Sequence, residues 1–444
     1  MAATLLKFPQ LQAPTLRQLP NGLTIVAQQM PVEAVNLSLW LNVGSAIESN
    51  AINGMAHFLE HMVFKGSQHL SIGEFERRIE ARGAVTNAAT SQDYTQYYIT
   101  TAPKDFAKLA PLQIDVVLNC LIPDKAFELE RLVVLEEIRR SDDNPRRRSF
   151  QRAIETVFDR LPYRRPVLGT VEVISQLSPQ QMRDFHATWY QPQSITAVAV
   201  GNLPEEELIE IVAKGFTDAL QGSVRTGVSN SLVDKQIIPL NPLLQETPES
   251  PFTAVVRREF VDDSLQQARL MMLWRVPGLN QLSDTYALDV LAAILASGRT
   301  SRLKADLREQ KSLVTQISAS NMTQRLQGTF YISAQLPVEN LEIVEAAIAD
   351  HIHKLQTEPV LESEIARIRT QVANRFIFSN ETPSDRANLY GYYQSMLGNL
   401  EPALNYPANI QALETNDLLA AAQKYLSPKA YGAVTIKPDE GCLG

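Results

Sequence analysis

The chain has 444 residues, of which 45% are hydrophobic and 20% charged, and its formal net charge is −8. This length exceeds what one ordinary hydrophobic core accommodates and predicts two domains. The negative charge and the lack of a dense run of Lys and Arg argue against nucleic acid as a partner.

The cysteines and the N-terminus bear on the cellular compartment. Cys120 and Cys442 are the two cysteines, and Cys442 lies so close to the C-terminus that we expect no structural disulfide. No apolar stretch is long enough to cross a bilayer. The first residues, Met1-Ala-Ala-Thr-Leu-Leu-Lys7, lack the apolar region of a secretory signal. We therefore expect a cytoplasmic protein without a membrane segment.

The hydrophobic pattern of the first half mixes two periods. Alternation and β-branched or aromatic residues predict strands at 23–27, 35–41 and 94–101. Helical spacing predicts helices at 54–65, 72–82 and 126–141, the last ended by Asn144-Pro145. This mixture predicts an α+β fold in which sheets and helices pack as a sandwich.

The second half repeats the first at a constant offset. Ile174-Ser-Gln-Leu177 aligns with Ile410-Gln-Ala-Leu413, and Trp189 aligns with Tyr425. Both copies run from a helix through a proline turn into an alternating strand, which predicts a duplication. Between the copies, residues 223–251 contain four prolines with Gly, Ser and Asn, which is typical of a linker. We predict domains at 1–222 and 252–444.

A histidine motif in the predicted helix 54–65 carries the main functional signal. His57-Phe-Leu-Glu-His61 places His57 and His61 one helical turn apart, so that both imidazoles point the same way, with Glu60 on the same side. Two neutral imidazoles and a carboxylate suit a catalytic zinc ion with one open position. The arrangement is HxxEH, the inverse of HExxH. The alternative is a surface helix with two histidines and no metal.

A third ligand has to come from another element, and the helix 126–141 is rich in glutamate. Glu130 and Glu137 are seven residues apart and therefore share one stripe of this helix. Glu136 points about 100° away from Glu137 and is expected to face solvent. The alternative for all three is an ordinary solvated acidic face.

With these residues, the sequence resembles the inverzincin peptidases, the family of pitrilysin, insulin-degrading enzyme and the mitochondrial processing peptidase. His57 and His61 match the HxxEH motif, Glu137 matches the third zinc ligand, and Glu130 matches a supporting acidic residue seven positions earlier. The resemblance runs from about Leu19 to the C-terminus and fits the smaller, two-chain branch. It implies two homologous α/β-sandwich halves forming a bowl-shaped half of a clamshell, one zinc ion per chain, and catalytic roles for Glu60 and Glu130.

Two further segments resemble the substrate-binding parts of that family. Asn87 and Ala88 match residues of an edge strand that contacts the peptide backbone, which is recognition by strand addition. The alternative is an ordinary polar turn and edge strand. Arg308 matches an arginine that holds substrate, but Thr315 stands where active members carry a tyrosine.

The resemblance implies a zinc-dependent endopeptidase that hydrolyses peptides or unfolded segments inside an enclosed chamber, with Glu60 as general base. A non-catalytic structural subunit and a protein that binds peptides without cutting them are the alternatives. The complete HxxEH motif argues against both. Because Thr315 lacks a phenol, we predict a heterodimer with a homologous subunit that carries the Arg–Tyr pair. A homodimer is the alternative.

Overall fold

The structure is a computed structural model that describes residues 11–225 and 241–439. Its strands are β1 Thr15–Gln18, β2 Thr24–Gln29, β3 Val35–Leu41, β4 Val85–Thr90, β5 Thr95–Thr101, β6 Ile195–Gly201, β7 Val256–Val261, β8 Ala268–Pro277, β9 Gln316–Met322, β10 Gln327–Leu336 and β11 Gly432–Lys437.

The α-helices are α1 Met55–Val63, α2 Glu74–Glu80, α3 Pro103–Leu118, α4 Asp124–Asp143, α5 Pro145–Val157, α6 Val171–Gln176, α7 Pro179–Trp189, α8 Glu205–Arg225, α9 Leu282–Ala296, α10 Leu341–Thr357, α11 Glu362–Phe378, α12 Pro383–Leu397, α13 Glu401–Ala412 and α14 Thr415–Tyr425. A π-helix spans Lys304–Gln310. None of the described helices combines the length and the apolar composition that crossing a membrane requires.

Two sheets repeat one topology. The first has the order β1-β2-β6-β3-β5-β4, and the second has the order β7-β11-β8-β10-β9. Without β1 the two orders correspond strand for strand. Each sheet has one parallel pair at the equivalent place, β2 with β6 and β7 with β11, and its other pairs are antiparallel. The predicted α+β fold with two homologous halves is confirmed.

The compact units are not continuous in sequence. The first comprises Met1–Ile138, Arg165–Gln245 and Phe376–Leu404, and the second comprises Arg139–Arg164, Glu246–Arg375 and Asn405–Gly444. The predicted domains 1–222 and 252–444 therefore differ from the observed units by two exchanged segments. Helix α5 packs on β8 and β11 of the second sheet, whereas α12 packs on β3 and β6 of the first. Each sheet has a second apolar face, and a helix from the other half of the sequence buries it.

The central strand β3 shows what this exchange does. All seven of its residues are buried, although its alternation of apolar and polar residues is typical of a strand with one exposed face. Leu37 and Leu39 belong to the main core, and Trp40 packs under α12 on the opposite face. A Cβ at Gly391 of α12 would lie 2.0 Å from Nε1 of Trp40, so this close approach requires glycine.

The predicted linker 223–251 is only partly described, because residues 226–240 lie outside the described ranges. Helix α8 continues to Arg225, and Leu243 is buried in the first unit. In the second unit, the carboxylate of Glu249 accepts hydrogen bonds from three consecutive backbone N–H groups, those of residues 159–161. In the described end of this segment, Leu243 is therefore packed in the first unit and Glu249 is hydrogen-bonded in the second.

Candidate metal centre

The apolar residues of α1 fix the direction of its polar ones. Met55, Phe58, Leu59 and Met62 are fully buried in the core of the first unit. The ring of Phe58 stacks on Phe127 of α4, with 4.5 Å between the ring centroids. With α1 anchored in this way, His57 and His61 are directed toward Glu137 of α4, and Glu60 is directed toward Thr90 of β4.

Three predicted ligands meet at one point. The Nε2 atoms of His57 and His61 each lie 3.5 Å from Oε2 of Glu137, and one ligand atom from each residue lies within 4.8 Å of the others. The side chains of His57, His61 and Glu137 are 9%, 21% and 39% exposed, so the cluster is partly accessible to solvent. Glu136 is exposed, as its helical phase predicts.

The outer contacts of His61 orient its ring. Its Nδ1 lies 3.0 Å from Oε1 of Glu130, and the other carboxylate oxygen of Glu130 lies 2.6 Å from Nζ of Lys65. With Lys65 beside it, Glu130 is ionised and accepts the Nδ1–H of His61. In the neutral form of His61 the proton therefore lies on Nδ1 and the lone pair lies on Nε2, facing His57 and Glu137. Metal-binding histidines are usually held by this kind of carboxylate contact.

The charges around the cluster also suit a divalent cation. Burial, followed by the neighbouring His61, lowers the pKa of His57 to about 4, so this imidazole is neutral. Burial lowers the pKa of His61, but Glu130 and Glu137 outweigh it and raise the value to about 9. A positive charge is thus favoured at the point where the three side chains converge. Two imidazoles and one carboxylate are a donor set that fits catalytic zinc.

Glu60 lies beside the cluster without belonging to it. Its Oε2 accepts a hydrogen bond from the hydroxyl of Thr90 at 2.5 Å. Burial raises the pKa of the Glu60 carboxyl, while the Thr90 hydrogen bond and His61 lower it. A carboxyl group whose pKa is raised is a better proton acceptor than an ordinary glutamate, which suits a general base.

The predicted substrate strand is an edge. Among the described strands, β4 lies at the edge of the first sheet and pairs only with β5, and Asn87 is exposed on it. Ala88 is half-buried against the core, and its N–H donates to Oδ1 of Asn87 at 2.9 Å. Thr90 stands at the end of the same strand and contacts Glu60. The structure therefore places the candidate substrate strand next to the candidate base.

The predicted Arg308 lies in the second unit, in the π-helix, where its guanidinium pairs with Glu309. Thr315 is exposed, and its hydroxyl oxygen lies 2.8 Å from Oε1 of Gln267 and 3.0 Å from the carbonyl oxygen of Gln335. Within the described parts of this unit, there is no group of His, Cys, Asp and Glu side chains that could hold a metal ion near either residue.

Three contacts of the site were not predicted from the sequence, those of Glu48, Lys65 and Thr90. Lys65 lies one helical turn after His61, and this spacing was the available signal. Thr90 lies three residues after Asn87 in the strand already predicted to bind substrate. Glu48 had no local signal, because its carboxylate reaches forward to residues 53–56. Burial raises the pKa of Glu48 to about 7, against the lowering effect of these donors and of Arg165.

Two family models together match most of the chain. The family model described as Insulinase (Peptidase family M16) matches residues 24–171, and the model described as Peptidase M16 inactive domain matches residues 176–372. The chain belongs to peptidase family M16. The match to the first model includes residues 57–61, where this chain has its HxxEH sequence, whereas the second half of the sequence has no such motif and matches a domain described as inactive.

Similarity to proteins named as proteases extends over nearly the whole chain. A zinc protease PqqE of Helicobacter pylori is 27% identical over 437 residues, which cover 97% of this chain and 94% of the relative. An uncharacterized zinc protease of Rickettsia bellii is 26% identical over 418 residues, covering 94% and 96%. The crystal structure of a protease from Helicobacter pylori has a TM-score of 0.86 at 26% identity and covers 96% and 100%.

Proposed function

We propose that this M16 chain is a zinc-dependent metalloendopeptidase in which His57, His61 and Glu137 bind the metal ion and Glu60 is the general base. The observation that carries this function is the convergence of the two Nε2 atoms on Oε2 of Glu137, with Glu60 alongside. The zinc protease names of relatives aligned over more than nine-tenths of the chain support it.

The chemistry is the hydrolysis of a peptide bond. A zinc ion in this site would polarise the scissile carbonyl group and make a water molecule more acidic. The Glu60 carboxylate takes a proton from the attacking water while the water oxygen bonds to the carbonyl carbon. When the carbon–nitrogen bond breaks, Glu60 passes that proton to the departing amine. Thr90 holds Oε2 of Glu60, which leaves the other carboxylate oxygen to handle the proton.

The position of β4 at the edge of the first sheet, among the described strands, supports an extended peptide as the substrate. Backbone groups of this edge can add a strand of almost any sequence, and the pockets for alternate side chains provide selectivity. Asn87 and Ala88 would contact the peptide backbone, and Thr90 at the end of the strand would bring it to Glu60. Substrates would thus be flexible peptides or unfolded segments, in keeping with an enclosed chamber that folded proteins do not enter.

Removing the metal tests this function. Dialysis against a zinc chelator is expected to abolish cleavage of a flexible peptide, and stoichiometric zinc is expected to restore it. His57→Ala should lack both zinc and activity, because half of the imidazole donor set is gone. Cleavage that survives complete zinc removal would contradict the proposal. Zinc binding without cleavage, also in the presence of a homologous subunit that carries the Arg–Tyr pair, would favour the non-catalytic peptide-binding alternative.

The proposed active form is a heterodimer. Arg308 is present, but Thr315 is too short to place a hydroxyl where a tyrosine phenol would reach an oxyanion. Loss of one such donor costs about 3 kcal/mol, or on the order of a hundredfold in turnover. A homologous M16 subunit with an intact Arg–Tyr pair is therefore expected to raise the activity of this chain about a hundredfold, whereas full activity of the homodimer alone would contradict the heterodimer.

Thr315→Tyr provides the matching test in the chain itself. Thr315 is exposed, so that a larger side chain needs no space in the core. If the missing phenol limits the isolated chain, Thr315→Tyr should raise its turnover, and Thr315→Phe, which differs only by the hydroxyl, should not. Equal turnover in both variants and the unmodified chain would show that this position does not limit catalysis.

A further inference from the structure

The first turn of the HxxEH helix has an unusual cap. Gly54, the N-cap residue of α1, has no side chain to accept the free N–H groups of the first turn. The carboxylate of Glu48, which lies outside the helix, accepts from one N–H of the first turn and from the N–H of Gly54 itself. Its Oε2 accepts from the Gly54 N–H at 2.8 Å, and its Oε1 accepts from the Ala56 N–H at 2.7 Å.

This carboxylate is buried and held from several sides. Glu48 is only 4% exposed, and its Oε2 also accepts from Nδ2 of Asn53 at 3.0 Å. The guanidinium of Arg165 donates to the backbone carbonyl of Glu48 at 2.6 Å. Gly54 adopts φ +94°, and a Cβ there would lie 2.6 Å from the carbonyl oxygen of Leu168. The start of α1 is thus fixed between Glu48 and the segment before α6.

The cap matters because of the residue that follows it. His57 comes directly after Ala56, whose N–H binds Glu48. Within the described residues, Nδ1 of His57 is buried and has no protein hydrogen-bond partner, whereas Nδ1 of His61 is held by Glu130. The direction of the His57 ring therefore depends on where the backbone of the first turn of α1 is held.

We propose that Glu48 is a positioning residue that holds the first turn of α1 so that Nε2 of His57 points at the metal. This inference rests on the proposed metal site. The carboxylate of Glu48 lies at the positive end of the α1 dipole and accepts two backbone hydrogen bonds there. These contacts fix the position of α1 along its axis and its rotation about that axis at His57. A glutamine at this position has the same shape, but its NH2 group must face at least one N–H donor, and the charge is lost.

The test compares zinc dissociation constants of the full-length chain by competition with a chelator. The measurements are made at about pH 8.5, above the pKa of Glu48, so that its carboxylate is charged. Glu48→Gln is expected to raise the zinc Kd roughly 10- to 100-fold, the range seen when contacts that orient a ligand are lost. Glu48→Asp, which keeps the charge but is one methylene shorter, should fall in between and replaces Glu48→Gln if that variant does not fold.

The matched control is Thr382→Ala, which removes the side-chain cap of α12 in the same unit, a helix without candidate ligands. It should lower thermal stability without changing the zinc Kd. If Glu48→Gln and Glu48→Asp bind zinc like the unmodified chain, or lose no more affinity than Thr382→Ala, the positioning role is overturned. His57→Ala separates the two proposals, because undiminished zinc binding in that variant would instead remove the metal site itself.

Discussion

Glu60→Gln is expected to retain zinc and to lower peptide turnover by roughly two to four orders of magnitude, the usual contribution of a positioned general base. Glu60 is outside the group of three converging side chains, so zinc content should not change. The amide oxygen of glutamine can still accept the hydrogen bond of Thr90, and this keeps the side chain in place. What the variant loses is the ability to take a proton from water.

Turnover, KM and zinc content of the purified variant are the measurements. Glu80→Gln is a suitable control, because Glu80 is an exposed glutamate at the end of α2 in the same unit, and all three quantities should stay unchanged. If Glu60→Gln lost zinc as completely as His57→Ala, Glu60 would be a ligand and the assignment of the base would be wrong.

The second large effect is expected on metal binding at α4. Glu137→Gln should nearly abolish zinc binding, because it replaces the charged donor that lies 3.5 Å from both imidazoles with a neutral amide. Glu130→Gln should weaken zinc binding about 10- to 100-fold, since it leaves Nδ1 of His61 less firmly held. Glu136→Gln, on the exposed side of the same helix, should have almost no effect.

The zinc content of the three variants after dialysis against the same zinc buffer shows directly which substitution weakens zinc binding most and which least. Adjacent glutamates of one helix make the comparison stringent, because Glu136→Gln and Glu137→Gln change charge and helix propensity equally. Equal zinc in all three variants would exclude Glu137 from the site.

Local periodicity predicted much of what builds the site. The predicted helices 54–65 and 126–141 are observed as Met55–Val63 and Asp124–Asp143, and the predicted strand 35–41 is observed with the same bounds. A helix repeats every 3.6 residues, so the spacings of four and seven placed His57 with His61 on one stripe and Glu130 with Glu137 on another, and the family resemblance related the two stripes. The structure brings these four side chains together.

Contacts between distant residues were not predictable in this way. The covering of β3 by α12 joins segments about 350 residues apart, and alternation in a strand does not identify the helix that buries its second face. The sequence therefore did not predict that α5 packs in the second unit and α12 in the first. Glu48 and Thr90 were missed for a similar reason. Their roles depend on which N–H group or carboxylate they meet after folding, and neither residue forms part of a regular pattern with its partner.

The most direct test of the account is a crystal structure of the zinc-loaded chain with anomalous diffraction measured on both sides of the zinc absorption edge. We expect one strong peak per chain at about 2.0–2.2 Å from Nε2 of His57, Nε2 of His61 and a carboxylate oxygen of Glu137, with Glu60 beside it and not coordinated. A zinc peak at any other group of residues, or none at this position in protein that cleaves peptides, would contradict the proposed metal centre.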